Sequence, residues 1–71
     1  MNKPEQEIIL KHLSKINKEF KKLQKILEKN TNDYLKKYIT QGRMAIHASQ
    51  FIVERNIQTK EQYEEMVNHD G

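Results

Sequence analysis

The chain has 71 residues, a net charge of +3 and no cysteine. A chain of this length forms one domain (1–71), whose core rarely contributes more than about 3–5 kcal/mol unless staples or oligomerisation add to it. Without cysteine, disulfides and thiolate metal sites are excluded. No apolar run is long enough for a signal peptide or a membrane span, so we expect a cytoplasmic protein.

The charge is distributed unevenly along the chain. Residues 1–29 carry eight Lys against four Glu, whereas residues 54–71 carry two basic residues against four Glu and Asp70. A basic front and an acidic tail can attract each other within a dimer or bind two different partners. The richness in Lys, Asn and Ile is typical of AT-rich genomes and, with the small size, favours a bacterial or phage accessory protein.

An apolar stripe predicts a first helix over residues 4–29. Its members alternate at spacings of four and three residues: Ile9, Leu13, Ile16, Phe20, Leu23 and Leu27. This spacing is typical of a helix that packs against another helix. Pro4 suits the first helical turn, and no Gly or further Pro interrupts the segment.

Residues 30–33 are a predicted break between two helices. Asn30 can adopt the left-handed conformation that ends a helix, and Thr31 or Asn32 can cap the next one. A connection this short predicts two antiparallel neighbours. One alternative stays open at this point, because the spacing also continues through Asn30 to Tyr34 as a single long helix.

The second predicted helix covers residues 33–55 and is apolar on more than one side. One apolar row contains Leu35, Ile39, Gly42, Ile46, Ser49 and Val53, and the other contains Tyr38, Ala45, Ala48 and Ile52. A helix of this kind is usually buried on several sides. We therefore infer that a hairpin from another subunit covers the apolar surface of helix 2 that helix 1 leaves exposed. The predicted self-association residues are the helix 1 stripe together with Ala45, Ala48, Phe51 and Ile52.

A third, short helix is predicted over residues 60–68, where Thr59 and Gln62 form a capping-box pattern. The predicted fold is all-α: an antiparallel helical hairpin with a short C-terminal helix. Two copies are expected to pair into a homodimeric four-helix bundle.

A row of lysines is the most regular polar feature. Lys11, Lys15, Lys18, Lys22, Lys25 and Lys29 repeat the same spacing on the face opposite the stripe, over about 27 Å. The row is either a solvated helix face, a surface for an acidic protein, or a track for a phosphate backbone. The track for a phosphate backbone is disfavoured, because the row lacks arginine for bidentate contacts and aromatic side chains for stacking.

Aromatic and basic residues also cluster near the start of helix 2: Tyr34, Lys36, Lys37, Tyr38 and Arg43. Such a cluster beside a helix N-terminus can bind a phosphate or stack a base. We favour the alternative that both tyrosine rings close the end of the hairpin, with rings buried and hydroxyls in water.

The sequence offers little for catalysis or metal binding. His12, His47 and His69 do not lie three or four residues apart, and zinc needs three or four ligands. Ser14 and Ser49 have no evident base and orienting acid nearby. His47, in the most apolar stretch, is either hydrogen-bonded at an interface or a partly buried pH sensor. We expect no enzyme activity, no metal and no cofactor.

The leading functional hypothesis is a self-associating interaction or regulatory protein that presents its charged surface to a protein partner. The alternative is a dimeric RNA- or DNA-binding bundle that uses the lysine row. Membrane-surface binding is disfavoured, because the apolar stripe is narrow and helix 2 offers it a better partner.

Overall fold

The structure, a computed structural model, describes residues 1–69 except the side chain of His69. Within that range the chain forms three helices and no strand: α1 (Lys3–Leu27), α2 (Asp33–Glu54) and α3 (Lys60–His69). α1 and α2 pack together. The all-helical prediction is confirmed, with helix bounds within two residues of those expected. Asp70 and the His69 imidazole, which entered the charge and metal arguments, lie outside the described residues.

Capping groups explain where α1 and α2 begin. The side chain of Asn2 accepts a hydrogen bond from the Glu5 amide at 2.9 Å, and Pro4 lies in the first turn of α1. Asn32 caps α2 in the same way, accepting from the Leu35 amide at 3.0 Å. Each cap satisfies one of the amide groups that have no partner inside the helix.

The turn at residues 28–32 excludes the single continuous helix. Its tightness comes from local hydrogen bonds: the Asn30 amide donates to the Leu27 carbonyl, and the Asn32 amide donates to Asn30 Oδ1. Asn30 does not adopt the left-handed conformation expected of it, since Asn56 is the non-glycine residue with positive φ in the described chain. The Asn30 side chain instead holds the turn by accepting from the backbone.

The left-handed residue occurs at the end of α2. Asn56 has φ of 52°, and the following amide, of Ile57, donates to the Ile52 carbonyl at 2.9 Å. This is a Schellman-type helix end, for which Asn is the usual substitute for glycine. Thr59 Oγ1 then accepts from the Gln62 amide at 3.1 Å, so the predicted cap of α3 is present.

Three polar contacts fix the register of α1 against α2. At one end Gln6 donates to the Val53 and Glu54 carbonyls, and at the other Lys36 Nζ donates to the Glu28 carbonyl. In the middle, the Arg43 guanidinium donates to Gln24 Oε1. The two end contacts satisfy carbonyl groups at the C-terminus of the opposite helix, which otherwise lack partners. Each helix therefore helps to cap the other.

The apolar interior of the chain is very small. Among the described residues with assigned exposure, Leu27 and Val53 are the buried ones, at 7% and 6% exposure. The remaining members of the α1 stripe are half-buried or exposed. Asn17 Oδ1 and Arg43 Nε are buried without a hydrogen-bond partner in the described chain, and such groups cost about 1–3 kcal/mol each. The hairpin alone is thus weakly stabilised.

α1 and α2 approach closely at Gly42, which faces the Phe20 ring. A Cβ atom at position 42 would lie 3.0 Å from Phe20 Cζ and 3.1 Å from Cε1. Ordinary carbon contacts are near 3.5–4.0 Å, so a larger side chain must displace the ring.

We expect Gly42→Leu to lower the free energy of unfolding by about 1–3 kcal/mol, because its side chain overpacks against Phe20. Gly42→Ala should change it less, since the better helix propensity of Ala, worth about 1 kcal/mol, offsets a small ring displacement. Urea unfolding followed by circular dichroism measures both. The control is His47→Leu, which puts leucine at an exposed position of the same helix. A Gly42→Leu variant as stable as this control would contradict the close approach.

Candidate functional site

The hairpin formed by α1 and α2 is one layer of helices and so has two broad faces. The residues of α1 that meet α2 include Phe20 and Gln24, and those of α2 that meet α1 include Gly42 and Arg43. Side chains advance by roughly 100° per residue around a helix. We call the line along which each helix touches the other its contact line. On two antiparallel helices, side chains that are rotated away from this line in the same direction, seen along each chain, lie on the same broad face of the pair.

This geometry puts several exposed apolar side chains of the two helices on one broad face, while Met44 is exposed outside it. On α1, Ile16 and Leu23 are offset from the contact line by about a quarter turn, and on α2 Tyr38 and Ala45 are offset in the same sense. Leu35 lies near the contact line, two turns before Gly42, and is exposed beside the hairpin turn. All five are exposed. We call this set the apolar face: Ile16, Leu23, Leu35, Tyr38 and Ala45.

The opposite broad face is polar. Its residues are rotated from the contact line by about a quarter turn in the opposite direction. They are Ser14, Lys21 and Lys25 of α1 and Thr40 and His47 of α2, and all of them are exposed. The two faces of the same hairpin thus differ in character. Because a solvated protein favours polar side chains on both faces, the apolar one needs a separate explanation.

A shallow depression of about 450 Å³ lies along α1 at the edge of the apolar face. Ile16, Phe20, Leu23 and Ile26 line it, together with the aliphatic parts of Glu19 and Lys22. Ile26 is 74% exposed, and Glu19 and Lys22 form an exposed ion pair at 3.4 Å. The depression has no lining residue from α2 or α3, so this flank of α1 is open within the described chain.

The two tyrosines at the start of α2 are exposed rather than buried. Tyr34 is 71% exposed and Tyr38 52%, which contradicts the expectation that their rings are buried against the hairpin end. They instead contact each other edge-to-face, with ring centroids 4.9 Å apart and hydroxyl oxygens 3.3 Å apart. The hydrogen bond to Tyr38 raises the pKa of Tyr34 above its ordinary value, because it stabilises the protonated phenol.

The lysine row lies on the side of α1 that faces away from α2. All six of its members, Lys11, Lys15, Lys18, Lys22, Lys25 and Lys29, are exposed. The ion pairs within the described residues are Lys22–Glu19 and Lys60–Glu64, so five of the six lysines have no acidic partner there. The row is therefore an open, positively charged surface.

The other predicted basic residues do not join that surface as one cluster. Lys36 and Arg43 are half-buried and donate hydrogen bonds to Glu28 and Gln24 of α1. Lys37 is exposed on α2. The structure thus uses two of these cations to hold the hairpin together, and Lys37 and Tyr34 remain at the surface.

The predicted self-association residues fall into three groups. Leu27 is buried against α2, while Ile9, Leu13 and Phe20 are half-buried in the hairpin. Phe51, Ala48 and Ile52 lie towards α3: the Phe51 ring contacts Tyr63 at 5.9 Å between centroids and lies under the Arg55 guanidinium at 4.3 Å. Ile16, Leu23 and Ala45 remain exposed on the apolar face. 

Sequence reasoning did not assign Leu35, Tyr38 and Ile26 to self-association. Leu35 and Tyr38 were visible as members of apolar rows, but which row α1 covers depends on the rotation of the two helices about their axes. Polar residues supplied an unused signal: Gln6 and Gln24 lie on the helix 1 side that contacts α2, and long amides on such a side often bond to the neighbouring backbone or side chains.

The remaining chemical candidates are dispersed. His12 and His47 are exposed on different helices, so His47 is not the partly buried imidazole that a pH sensor requires. Ser49 Oγ donates to the Ala45 carbonyl at 2.8 Å within α2. The described residues contain no group of three or more His, Asp or Glu placed to hold a metal ion. None of their helices combines the length and apolar character needed to cross a membrane.

Comparison of the chain with protein-family models, curated proteins and solved structures finds no significant match. The two surfaces that distinguish the hairpin are the apolar face and the lysine row.

We expect Tyr38→Phe to lower the pKa of Tyr34, because the variant loses the hydroxyl that is hydrogen-bonded to Tyr34 and raises its pKa. NMR titration of the Tyr34 ring above about pH 9 measures the change. Tyr63→Phe is the matched control, since Tyr63 contacts Phe51 and not Tyr34. An unchanged Tyr34 titration in Tyr38→Phe would show that the two hydroxyls are not bonded in solution.

Proposed function

We propose that this protein is a non-enzymatic interaction module that works as a homodimer and presents a charged surface to a protein partner. In the proposed dimer, two hairpins pair into a four-helix bundle. The observation that carries the proposal is the contrast between a buried interior of Leu27 and Val53 and an exposed apolar face of five residues. Single hydrophobic cores this small seldom maintain a fold without association.

The lysine row is the proposed surface for the partner. It faces away from α2, and of its six lysines Lys22 lies at the edge of the apolar face, so a dimer formed through that face leaves the other five accessible. Six cations along about 27 Å, five without an acidic partner in the described chain, favour an elongated acidic surface. An acidic segment of a partner protein has this chemistry.

Nucleic acid is the alternative partner, because the same row matches the charge and length of a phosphate backbone. Two features favour the protein partner instead. The row has no arginine for bidentate base contacts, and Arg43 is bonded to Gln24 inside the hairpin. The exposed aromatic pair Tyr34–Tyr38 lies on α2, away from the row, so it does not supply stacking between the lysines.

We expect the Lys18→Glu/Lys22→Glu variant to lose the partner while remaining folded, because both side chains are exposed and their reversal repels an acidic surface. Affinity capture from nuclease-treated host extract, followed by mass spectrometry, measures this. The control is Lys3→Glu/Lys60→Glu, which makes the same change in net charge at exposed positions outside the row. The wild type and the control should retain one discrete protein that the row variant loses.

Filter binding of RNA and duplex DNA at two salt concentrations tests whether the lysine row binds nucleic acid. The proposal predicts no salt-sensitive retention at micromolar protein. Strong retention that falls with added salt and disappears in Lys18→Glu/Lys22→Glu would establish the nucleic-acid reading instead. A protein that is captured from untreated extract but not from nuclease-treated extract would also contradict a direct protein partner.

A further inference from the structure

We infer that the apolar face of the hairpin is covered by the same face of a second copy of this chain, whereas the polar face stays in solvent. The inference rests on the proposed homodimer and adds which surface forms it.

The asymmetry of the hairpin restricts how a second copy can bind. The polar face carries Lys21, Lys25, Thr40 and His47, and burying those lysines would remove cations from water without acidic partners in the described chain. The five members of the apolar face are uncharged, and the exposed Glu5 lies on the same side of α1 nearer its N-terminus. The edge of the apolar face holds Glu19 and Lys22, which are exposed and paired with each other. Interfaces with an apolar centre and a charged rim have this layout.

The broad side of the hairpin that carries the apolar face is large enough for a small dimer. The 22 residues of α2 span about 33 Å, and two adjacent helices are together about 20 Å wide, which gives a projected area of roughly 660 Å². A standard protein interface buries about 800 Å² of accessible surface on each partner, and accessible surface exceeds projected area because side chains protrude. One face of the hairpin can therefore supply one half of a stable interface.

Side-chain size along the face is compatible with self-pairing. The large residue Tyr38 lies near the turn, and the small residue Ala45 follows in the middle of α2, whereas Gly42 packs against the Phe20 ring inside the hairpin. A two-fold axis near Ala45 brings the two copies of this small residue together and places the two Tyr38 side chains to either side. The shallow depression beside Ile16 and Leu23 continues this surface on α1.

α3 does not cover the face. It contacts α2 through Tyr63 and Phe51, on the outer side of the C-terminal end of α2, and Leu35, Tyr38 and Ala45 stay exposed. The described chain thus has no segment of its own over the apolar face. A second copy is present at the same concentration wherever the protein is made and carries the same apolar face.

The test combines solution mass with thiol labelling, which the absence of native cysteine makes specific. Ala45→Cys places one thiol on the apolar face, and Thr40→Cys places one on the polar face of the same helix. Both positions are exposed in the hairpin. We expect alkylation of Ala45→Cys to slow by about tenfold or more between dilute and concentrated protein, because a tenfold protection needs only a dimer about 90% populated. Alkylation of Thr40→Cys should not change.

A second pair of variants tests the same face by charge. Tyr38→Glu should weaken the dimer by at least about a hundredfold in Kd, because an ionised carboxylate enters the apolar centre of the interface without a partner. Met44→Glu is the matched control: Met44 is an apolar residue of α2, 65% exposed, that lies outside the apolar face. Sedimentation equilibrium gives the Kd, and circular dichroism confirms that both variants remain helical.

The outcomes separate this inference from the proposed function. The wild type could be a dimer in which Ala45→Cys is not protected, or in which Met44→Glu disrupts the dimer as much as Tyr38→Glu. In either case the protein associates through another surface, so this inference fails while the proposed homodimer stands. If the wild type stays monomeric at high concentration, the inference and the proposed homodimer both fail. Selective protection at Ala45 with selective disruption by Tyr38→Glu establishes the interface.

Discussion

A single layer of two helices can bury only the side chains that lie between them, and this constraint governs the structure. Each helix of the pair covers one stripe of the other, and any apolar residue outside that stripe remains in water. In this chain the covered stripe contains Leu27 and Val53 as its buried members, while Ile16, Leu23 and Tyr38 lie outside it. The sequence thus carries more apolar surface than its own hairpin can cover.

Polar contacts compensate in part for the small interior. Gln6 and Lys36 each satisfy carbonyl groups at the end of the opposite helix, and Arg43 bonds to Gln24 between them. Such contacts specify the register of the hairpin more than they stabilise it, because each replaces a hydrogen bond to water. Register matters here, since it places the exposed apolar rows of the two helices side by side. A specific hairpin of low intrinsic stability is what an assembly-dependent fold requires.

Local sequence signals predicted the helices well. Pro4 and the capping residues Asn32 and Thr59 act within one turn of the chain, so their effect does not depend on tertiary contacts. The left-handed residue was placed at Asn30 but occurs at Asn56, because several asparagines near helix ends are equally able to adopt it and hydrogen bonding decides between them.

The surfaces were harder to predict because they depend on how the helices are rotated about their axes. The lysine row followed from spacing alone, and the structure leaves all six side chains exposed. Tyr34 and Tyr38 were expected to be buried, but they lie on the side of α2 that α1 does not reach. Lys36 and Arg43 were expected at the surface, but their long side chains reach acceptors on α1. Such partners are distant in sequence, so no local pattern indicates them.

The concentration dependence of thermal unfolding tests the central claim most directly, because a fold completed by a second copy is stabilised by mass action. The claim is that the hairpin needs another copy over its apolar face. It predicts that the midpoint temperature of the helical signal rises steadily over a hundredfold increase in protein concentration. A cooperative transition with the same midpoint at every concentration would contradict it, since the hairpin would then be stable by itself.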